Sequence, residues 1–445
     1  MSNADAEQRR SPLPVDRPPA AAPGDRLDPA AALDLILTGA RLLFVNGQTT
    51  ERTVEASEQF AVALGFRATL FPRWGELILR IQQDAGSRSE IVAAEPAGMD
   101  MNKVSATMTA IEKICEGRMD AAGMRSALES ITRLPAVSIA RFALFAAAGA
   151  AALGVIFGAA HLLTLVLIAL SAGAGACLRR WLAGMSRNLF VQPFCAALLA
   201  GVGGAIAFRL QLSSVLRLVA LCPCMVLVPG PHFLNGMIDL ARARITLGAA
   251  RIAYALLITV MICAGLLLGL ALGGVSLPAS GPSHAAPLGY DIVAAGIAVA
   301  AYGTFFAMPW RMLPIPVLIG VLAHAFRWEA IYVAGTGAEI GALVACLVVG
   351  VIITPIADRM RLPFAGLAFA SVVSLMPGVF LFRMAGGMVD LVGLGSKAPQ
   401  ELSNQVVADG TTALLIILAM SFGLIFPKMC IQNLTRSLPQ RRGRV

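Results

Sequence analysis

Residues 225–240 read MVLVPGPHFLNGMIDL, and residues 373–391 read VSLMPGVFLFRMAGGMVDL. Each is an apolar run interrupted by Pro-Gly and closed by Gly-Met-Ile/Val-Asp-Leu. Proline inside a helix cannot bond the carbonyl four residues back, and its ring crowds that carbonyl. The carbonyls concerned are Met225 for Pro229 and Val373 for Pro377. The glycine that follows lets the chain unwind. In hydrocarbon such a break is tolerated only where protein, water or a ligand meets the freed backbone groups.

The surroundings are those of a membrane protein. The chain has 445 residues, 57% of them hydrophobic and 14% charged, against about 25% charged in an average soluble chain. Mean hydropathy is +0.76. Ten apolar runs follow one another, at 137–158, 161–178, 189–208, 215–240, 248–273, 289–308, 312–326, 332–356, 364–391 and 409–427. A soluble core does not demand runs of about 20 apolar residues in series. The seventh run is short and proline-interrupted, which predicts a tilted or re-entrant segment. Thr354-Pro355 is expected to end the eighth.

The two Pro-Gly phrases occupy the fourth and ninth runs, position four in each set of five. Five is odd, so the second set enters the membrane from the opposite side. The predicted fold is an α-helical polytopic membrane protein. It has about ten transmembrane helices as two inverted five-helix repeats, preceded by a small cytoplasmic α/β domain. Inverted repeats of this kind place substrate sites at discontinuous helices near the bilayer midplane.

Residues 1–27 are Pro- and Ala-rich, with no apolar signal-peptide core, and read as a disordered tail. Residues 28–135 form the soluble-looking domain. Asp28 is its first N-cap and Pro29 the first helical position, with Gly47 as the stop. A second helix covers 50–65, and FRATLFP, GELILRIQ and SEIVAAE read as short strands. Helical spacing returns at 101–117 and 120–134. The first membrane half is 136–273, an uncharged external linker 274–288, the second half 289–427, and a basic cytoplasmic tail 428–445.

With the domain inside, the cytoplasmic connections carry nine arginines, among them Arg179, Arg242 and Arg359. The opposite connections carry four basic residues, Arg209, Arg217, Arg327 and Lys397. The positive-inside rule then places both termini in the cytoplasm. The net charge of +9 is thereby a topology signal, and no nucleic acid is expected as a partner. Seven of eight cysteines lie in or beside apolar stretches and read as small hydrophobes. No zinc spacing occurs, so neither a metal nor a cofactor is expected.

Ionisable groups inside spans are functional candidates by default. Pro229, Gly230, His232, Asn235, Pro377, Gly378 and Arg383 are the candidate helix-break and substrate-binding residues. Asp239, Glu339 and Asp390 are the candidates for proton coupling, and also for a partner to Arg383. A zwitterionic amino acid suits such breaks, its ammonium meeting carbonyls and its carboxylate meeting half-helix N–H groups. The plainer alternatives are proline kinks and interfacial aspartates. Asp291, His161 and His324 read as interfacial. The two breaks are expected to face each other across a central polar cavity.

The chain resembles the threonine/serine exporter family of bacterial membrane proteins. ARLLFVNGQTTERTVEASEQFAVALGF looks like that family's opening helix pair. EPAGMDMNKVSATMTAIEKICEGRMDAAGMRSALESI looks like the segment before its first membrane helix. VLVPGPHFLNGMIDLARARITLGAARI and SLMPGVFLFRMAGGMVDL are similar to the distinctive motifs of its larger and smaller parts. The resemblance spans roughly residues 30–430 and implies the fused form, joined in the 274–288 loop. It implies proton-driven export of threonine and serine, with protons, the amino acid and the lipid bilayer as partners. Split members have been linked to succinate-type dicarboxylate export, which is the alternative reading.

The N-terminal region of that family has been likened to a hydrolase. No Gly-x-Ser-x-Gly and no His-Glu-x-x-His occurs here, and no histidine precedes His161. The domain is therefore read as regulatory, and the chain as no enzyme. The absence of Gly-x-x-x-x-Gly-Lys-Ser/Thr argues against direct ATP drive. A channel would need repeated pore-lining polar residues, which are not visible. A homo-oligomer is left open.

Overall fold

A computed structural model describes residues 27–83, 86–159, 161–186, 188–211, 216–277, 286–360, 362–375 and 377–437. The reading of residues 1–26 as a tail lies outside these, as do most of the 274–288 linker and the end of the basic tail.

Helix α1 (Pro29–Val45) starts on Asp28, whose carboxylate accepts from the Ala30 amide at 3.2 Å. Its stop, Gly47, has φ +92°, a conformation side chains disfavour. Helix α2 (Thr50–Ala63) leads into strands β1 (Arg67–Arg73), β2 (Gly75–Gln83) and β3 (Gly86–Ala94), an antiparallel meander. The third strand begins three residues before SEIVAAE, because its pairing with β2 continues to Gln83–Gly86. Leu70, Leu77, Leu79 and Ile81 are buried in a core shared with α1 and α2. Helices α3 (Met101–Cys115) and α4 (Ala121–Thr132) complete the domain.

Glu58 on α2 is only partly exposed, and burial raises its pKa, with Glu55 adding to the effect and a backbone hydrogen bond to Leu70 opposing it. A carboxyl with a raised folded-state pKa contributes stability that is full below its unfolded pKa and is lost as pH rises through the folded one. Glu58→Gln is therefore expected to raise the melting temperature at neutral pH and leave it unchanged in acid. Scanning fluorimetry at the two pH values checks this; an equal shift at both would contradict it.

The membrane part comprises α5 (Ile139–Ile156), α6 (Leu162–Met185), α7 (Val191–Arg209), α8 (Leu216–Met225), α9 (Gly230–Ala241) and α10 (Ile245–Leu272). There follow α11 (Leu288–Phe305), α12 (Pro314–Trp328), α13 (Ala338–Arg359), α14 (Phe364–Val372), α15 (Gly378–Leu394) and α16 (Gln400–Ser437). Among the described residues nine helical segments are long and apolar enough to cross a membrane, and α8–α9, bent by 52°, makes a tenth. The chain is a polytopic helical membrane protein.

Three boundaries differ from the sequence reading. Helix α12 continues through a π-helical turn (Glu329–Val333), and Pro314–Val333 is 20 residues, enough to span. Its prolines 314 and 316 sit in the first turn, where helical N–H groups lack partners anyway. Helix α13 does not stop at Thr354-Pro355 but runs to Arg359, and Thr354 Oγ1 donates to the Gly350 carbonyl at 2.6 Å. Helix α16 likewise passes through Pro427.

Helix pairing repeats between the two sets. In the first, α5 packs on α6, α6 on α7, α7 on α8 and α10, and α9 on α10. In the second, α11 packs on α12, α12 on α13, α13 on α14 and α16, and α15 on α16. Helices α5 and α11 join the sets. Small residues allow the closest approaches, Gly201 and Gly265 between α7 and α10, and Gly350 and Gly423 between α13 and α16.

The N-terminal domain is docked on this bundle. The Met101 amide donates to the Phe306 carbonyl at 2.8 Å, and Leu247 of α10 is buried in the domain's own core. Trp74, in the β1–β2 turn, lies 5.2 Å from Tyr254.

Candidate functional site

Both Pro-Gly phrases are helix breaks. The first separates α8 from α9, with Pro229 at φ −83° and ψ 59°. The Met225 carbonyl, which Pro229 cannot bond, accepts from the Tyr302 hydroxyl at 2.9 Å and from the Val228 amide at 3.3 Å. The second break follows a 3-10 turn (Val373–Leu375), and Pro377 caps α15.

Each break rests on the other's leading helix. A Cβ on Gly230 would lie 1.6 Å from the Phe369 ring on α14, and one on Gly378 would lie 3.2 Å from the Met225 side chain on α8. The space beside Gly230 and Phe369 is a cavity of about 20 Å³ lined mostly by apolar residues. The expected central polar cavity is therefore replaced, in this conformation, by direct packing of one break against the other.

The polar groups gather instead at the two ends. At the domain end, residues 46–51 (NGQTTE), which join α1 to the first turn of α2, reach α9 and α10. Asn235 Nδ2 donates to the Gly47 carbonyl at 3.3 Å, and Thr50 Oγ1 donates to Asp239 Oδ2 at 2.9 Å. Arg251 Nε lies 3.1 Å from the same carboxylate oxygen, and Arg244 Nη1 3.6 Å from the other. The Arg251 guanidinium also sits 5.2 Å from the Phe44 ring centre. Glu51 pairs with Arg242, which reaches Gln432 of α16 at 3.1 Å. His232 meets Tyr254 edge-on at 5.1 Å. Asn235, Asp239 and Arg251 are 2%, 1% and 0% exposed, so this is a buried polar knot. Within it Asn235 Oδ1 and Gln48 Nε2 have no hydrogen-bond partner among the described residues.

At the opposite end Arg383 on α15 pairs with Asp409 on α16, Nε to Oδ2 at 3.1 Å. None of the acids weighed from the sequence fills that place. Asp390 lies about two turns further along α15 and is partly exposed. Glu339 stands in the first turn of α13, its carboxylate folded back toward Gly337, where the helix dipole favours an acid. The structure thus brings His232, Asn235 and Asp239 to one end of the bundle and leaves Arg383, Asp390 and Glu339 apart from them.

Each set carries one ion pair between its broken span and the helix that follows, with reversed polarity. The α9–α10 pair has its acid on the broken span, whereas the α15–α16 pair has its arginine there. Sequence reasoning missed Thr50, Arg251 and Asp409. Arg251 was counted among the nine arginines of the cytoplasmic connections, Thr50 lies 189 residues from Asp239, and Asp409 is carried to Arg383 by the packing of α16 on α15. It also read Asp291 and His324 as interfacial. Both are buried, at 2% and 0% exposure, and His324 Nδ1 lies 2.8 Å from Asp291 Oδ2. An aspartate and a histidine inside adjacent apolar runs were the available signal.

Residues 34–273 match the threonine/serine exporter family, and residues 291–430 match its companion description, Threonine/Serine exporter, ThrE. The first match alone covers more than half of the 445 residues. The chain belongs to the threonine/serine exporter family. It is a multi-pass membrane exporter of amino acids in the two-part form, both parts on one chain. Neither a comparison with curated proteins nor one with solved structures gave a match. Within this exporter family member, the first match runs from the domain through α10, so residues 46–51 and their contacts on α9 and α10 fall in one matched part.

Proposed function

We propose that the chain exports threonine, serine or a similar small polar amino acid out of the bacterial cytoplasm, across the inner membrane and driven by the proton gradient. The observation that carries this reading is the buried knot at Asn235, Asp239, Arg251 and Thr50. Asp239 and Arg251, 3.1 Å apart, offer opposite charges that suit an ammonium and a carboxylate. The unpartnered Asn235 Oδ1 and Gln48 Nε2 suit a side-chain hydroxyl. The two sets of five helices act as inverted repeats that rock about the crossed breaks. The repeated pairing of helices and the reversed ion pairs at opposite ends support that arrangement. Each pair serves as a gate at its own face, and the docked domain, cytoplasmic in this reading, holds the inner gate shut rather than catalysing a reaction.

A dicarboxylate would call for surplus positive charge. Arg251 and Arg383 each have an acid at 3.1 Å, but Arg244 shares Asp239 with Arg251, so the dicarboxylate stands as the second reading. The test is accumulation of labelled threonine, serine and succinate by inside-out vesicles, with and without a pH gradient. Gradient-dependent accumulation of threonine or serine, abolished in Asn235→Ala, is expected. Succinate accumulation alone would replace the amino-acid reading with the dicarboxylate one.

A further inference from the structure

A second buried cluster lies away from the polar knot. Asp291 in the first turn of α11, His324 on α12 and Ser374 in the 3-10 turn before Pro377 form a chain. His324 Nδ1 is 2.8 Å from Asp291 Oδ2, and Nε2 is 2.5 Å from Ser374 Oγ. The three are 2%, 0% and 2% exposed. The arrangement is an acid–imidazole–hydroxyl triad. A nucleophilic serine needs a substrate beside it, however, and Ser374 lines neither the cavity beside Gly230 nor the one between α6 and α8.

We propose that Asp291, His324 and Ser374 are a proton-binding site that controls the second helix break. This rests on the reading of export as gradient-driven. With neutral imidazole, Nδ1–H donates to Asp291 and Nε2 accepts from the Ser374 hydroxyl. One proton added at Nε2 reverses the second bond. Nε2–H now donates to the serine oxygen, and the hydroxyl hydrogen must turn to another acceptor. In a helical turn a serine hydroxyl reaches the carbonyl three or four residues back, here Ser371 or Ala370 at the end of α14, one turn before the break. Protonation therefore rewires the turn on which α15 pivots. Asp291 from α11 balances the added charge, and Arg327, further along α12, is the other charge that acts on the ring. In the first set, Val226 stands three residues before Pro229 as Ser374 stands three before Pro377, and it lines a cavity of about 10 Å³ with Ser171 and Arg179 but with no acid or histidine. Among the described residues this acid–imidazole–hydroxyl chain occurs once, which corresponds to one such proton.

The test uses full-length protein in vesicles, with two transport readouts and one that needs no substrate. Exchange of labelled for unlabelled threonine is measured without a gradient, and uphill accumulation with one. The ring nitrogens of the chain's four histidines are titrated by ¹⁵N NMR. His324→Gln is expected to keep exchange, lose uphill accumulation and remove one titrating ring. Ser374→Ala is expected to keep that ring's titration and lose uphill accumulation, since the proton still binds without reaching the turn. Wild-type accumulation in His324→Gln, or a His324 ring that holds one protonation state across the pH range in which transport changes, would overturn the proposal. Should His324→Gln not fold, Asp291→Asn decides, because losing the countercharge must move the ring's titration to lower pH and an unmoved titration overturns the site. A wild-type protein that moves no threonine or serine would refute the substrate reading alone, since the ring titration still tests the proton site.

Discussion

Replacing Arg251 with methionine lowers the folding stability of this protein by about 3–5 kcal/mol, the cost of leaving a buried charge without its partner. Asp239 is 1% exposed and keeps only the Thr50 hydroxyl at 2.9 Å and Arg244 at 3.6 Å. Neither replaces a guanidinium at 3.1 Å in a site closed to water. The damage also spreads beyond α9. Arg251 covers the Phe44 ring at 5.2 Å and reaches Thr50, so the domain loses part of its seat on the bundle. Denaturant unfolding in detergent micelles measures the loss, and trypsin cleavage of residues 28–135 should accelerate with it. Substituting both partners, Arg251→Met with Asp239→Leu, should recover most of the stability, because a matched apolar pair needs no countercharge. A loss below about 1 kcal/mol would mark the pair as an exposed one instead.

Gly265→Val is expected to separate α7 from α10. A Cβ at this position would lie 2.2 Å from the Phe194 carbonyl oxygen and 3.1 Å from the Leu198 nitrogen. Both obstacles are backbone, so no rotamer change relieves them. Overpacking of a core typically costs about 1–3 kcal/mol and occasionally more. A clash that moves two whole helices belongs at the upper end. Gly184→Val on α6, where nothing lies within 4 Å, is the control and should behave as wild type. Size-exclusion profiles and unfolding midpoints of the two variants make the comparison. Equal behaviour would mean that α7 and α10 are free to part.

The spans were legible because hydrocarbon imposes length and composition on every segment that crosses it. The two breaks were legible for the same reason, since Pro229 and Pro377 are out of place in an uninterrupted membrane helix. Pro355 was misread because local signals do not show whether packing against a neighbour, here α16 on α13, holds the helix together through a proline. Who pairs with whom was hidden. Asp409 meets Arg383 only because α16 packs on α15, and Thr50 meets Asp239 across 189 residues of chain. His324 is an imidazole in an apolar run, which flagged it as unusual, but its two partners come from separate helices.

The hydroxyl of Tyr302 is supplied by the second half of the chain, 77 residues after the Met225 carbonyl that it serves. A nascent first half thus reaches the bilayer with its broken helix incomplete, and it stays incomplete until α11 has been inserted. Phe369, which packs on Gly230, arrives later still. Biogenesis is accordingly a matter of waiting for a partner. On one chain that partner is assured, at a fixed ratio and close by. Where the same two parts are made as separate polypeptides, each would be an orphan with an unfinished interior, open to membrane quality-control proteolysis until it met the other. Fusing the halves shortens that vulnerable interval to the time needed to insert the next helices.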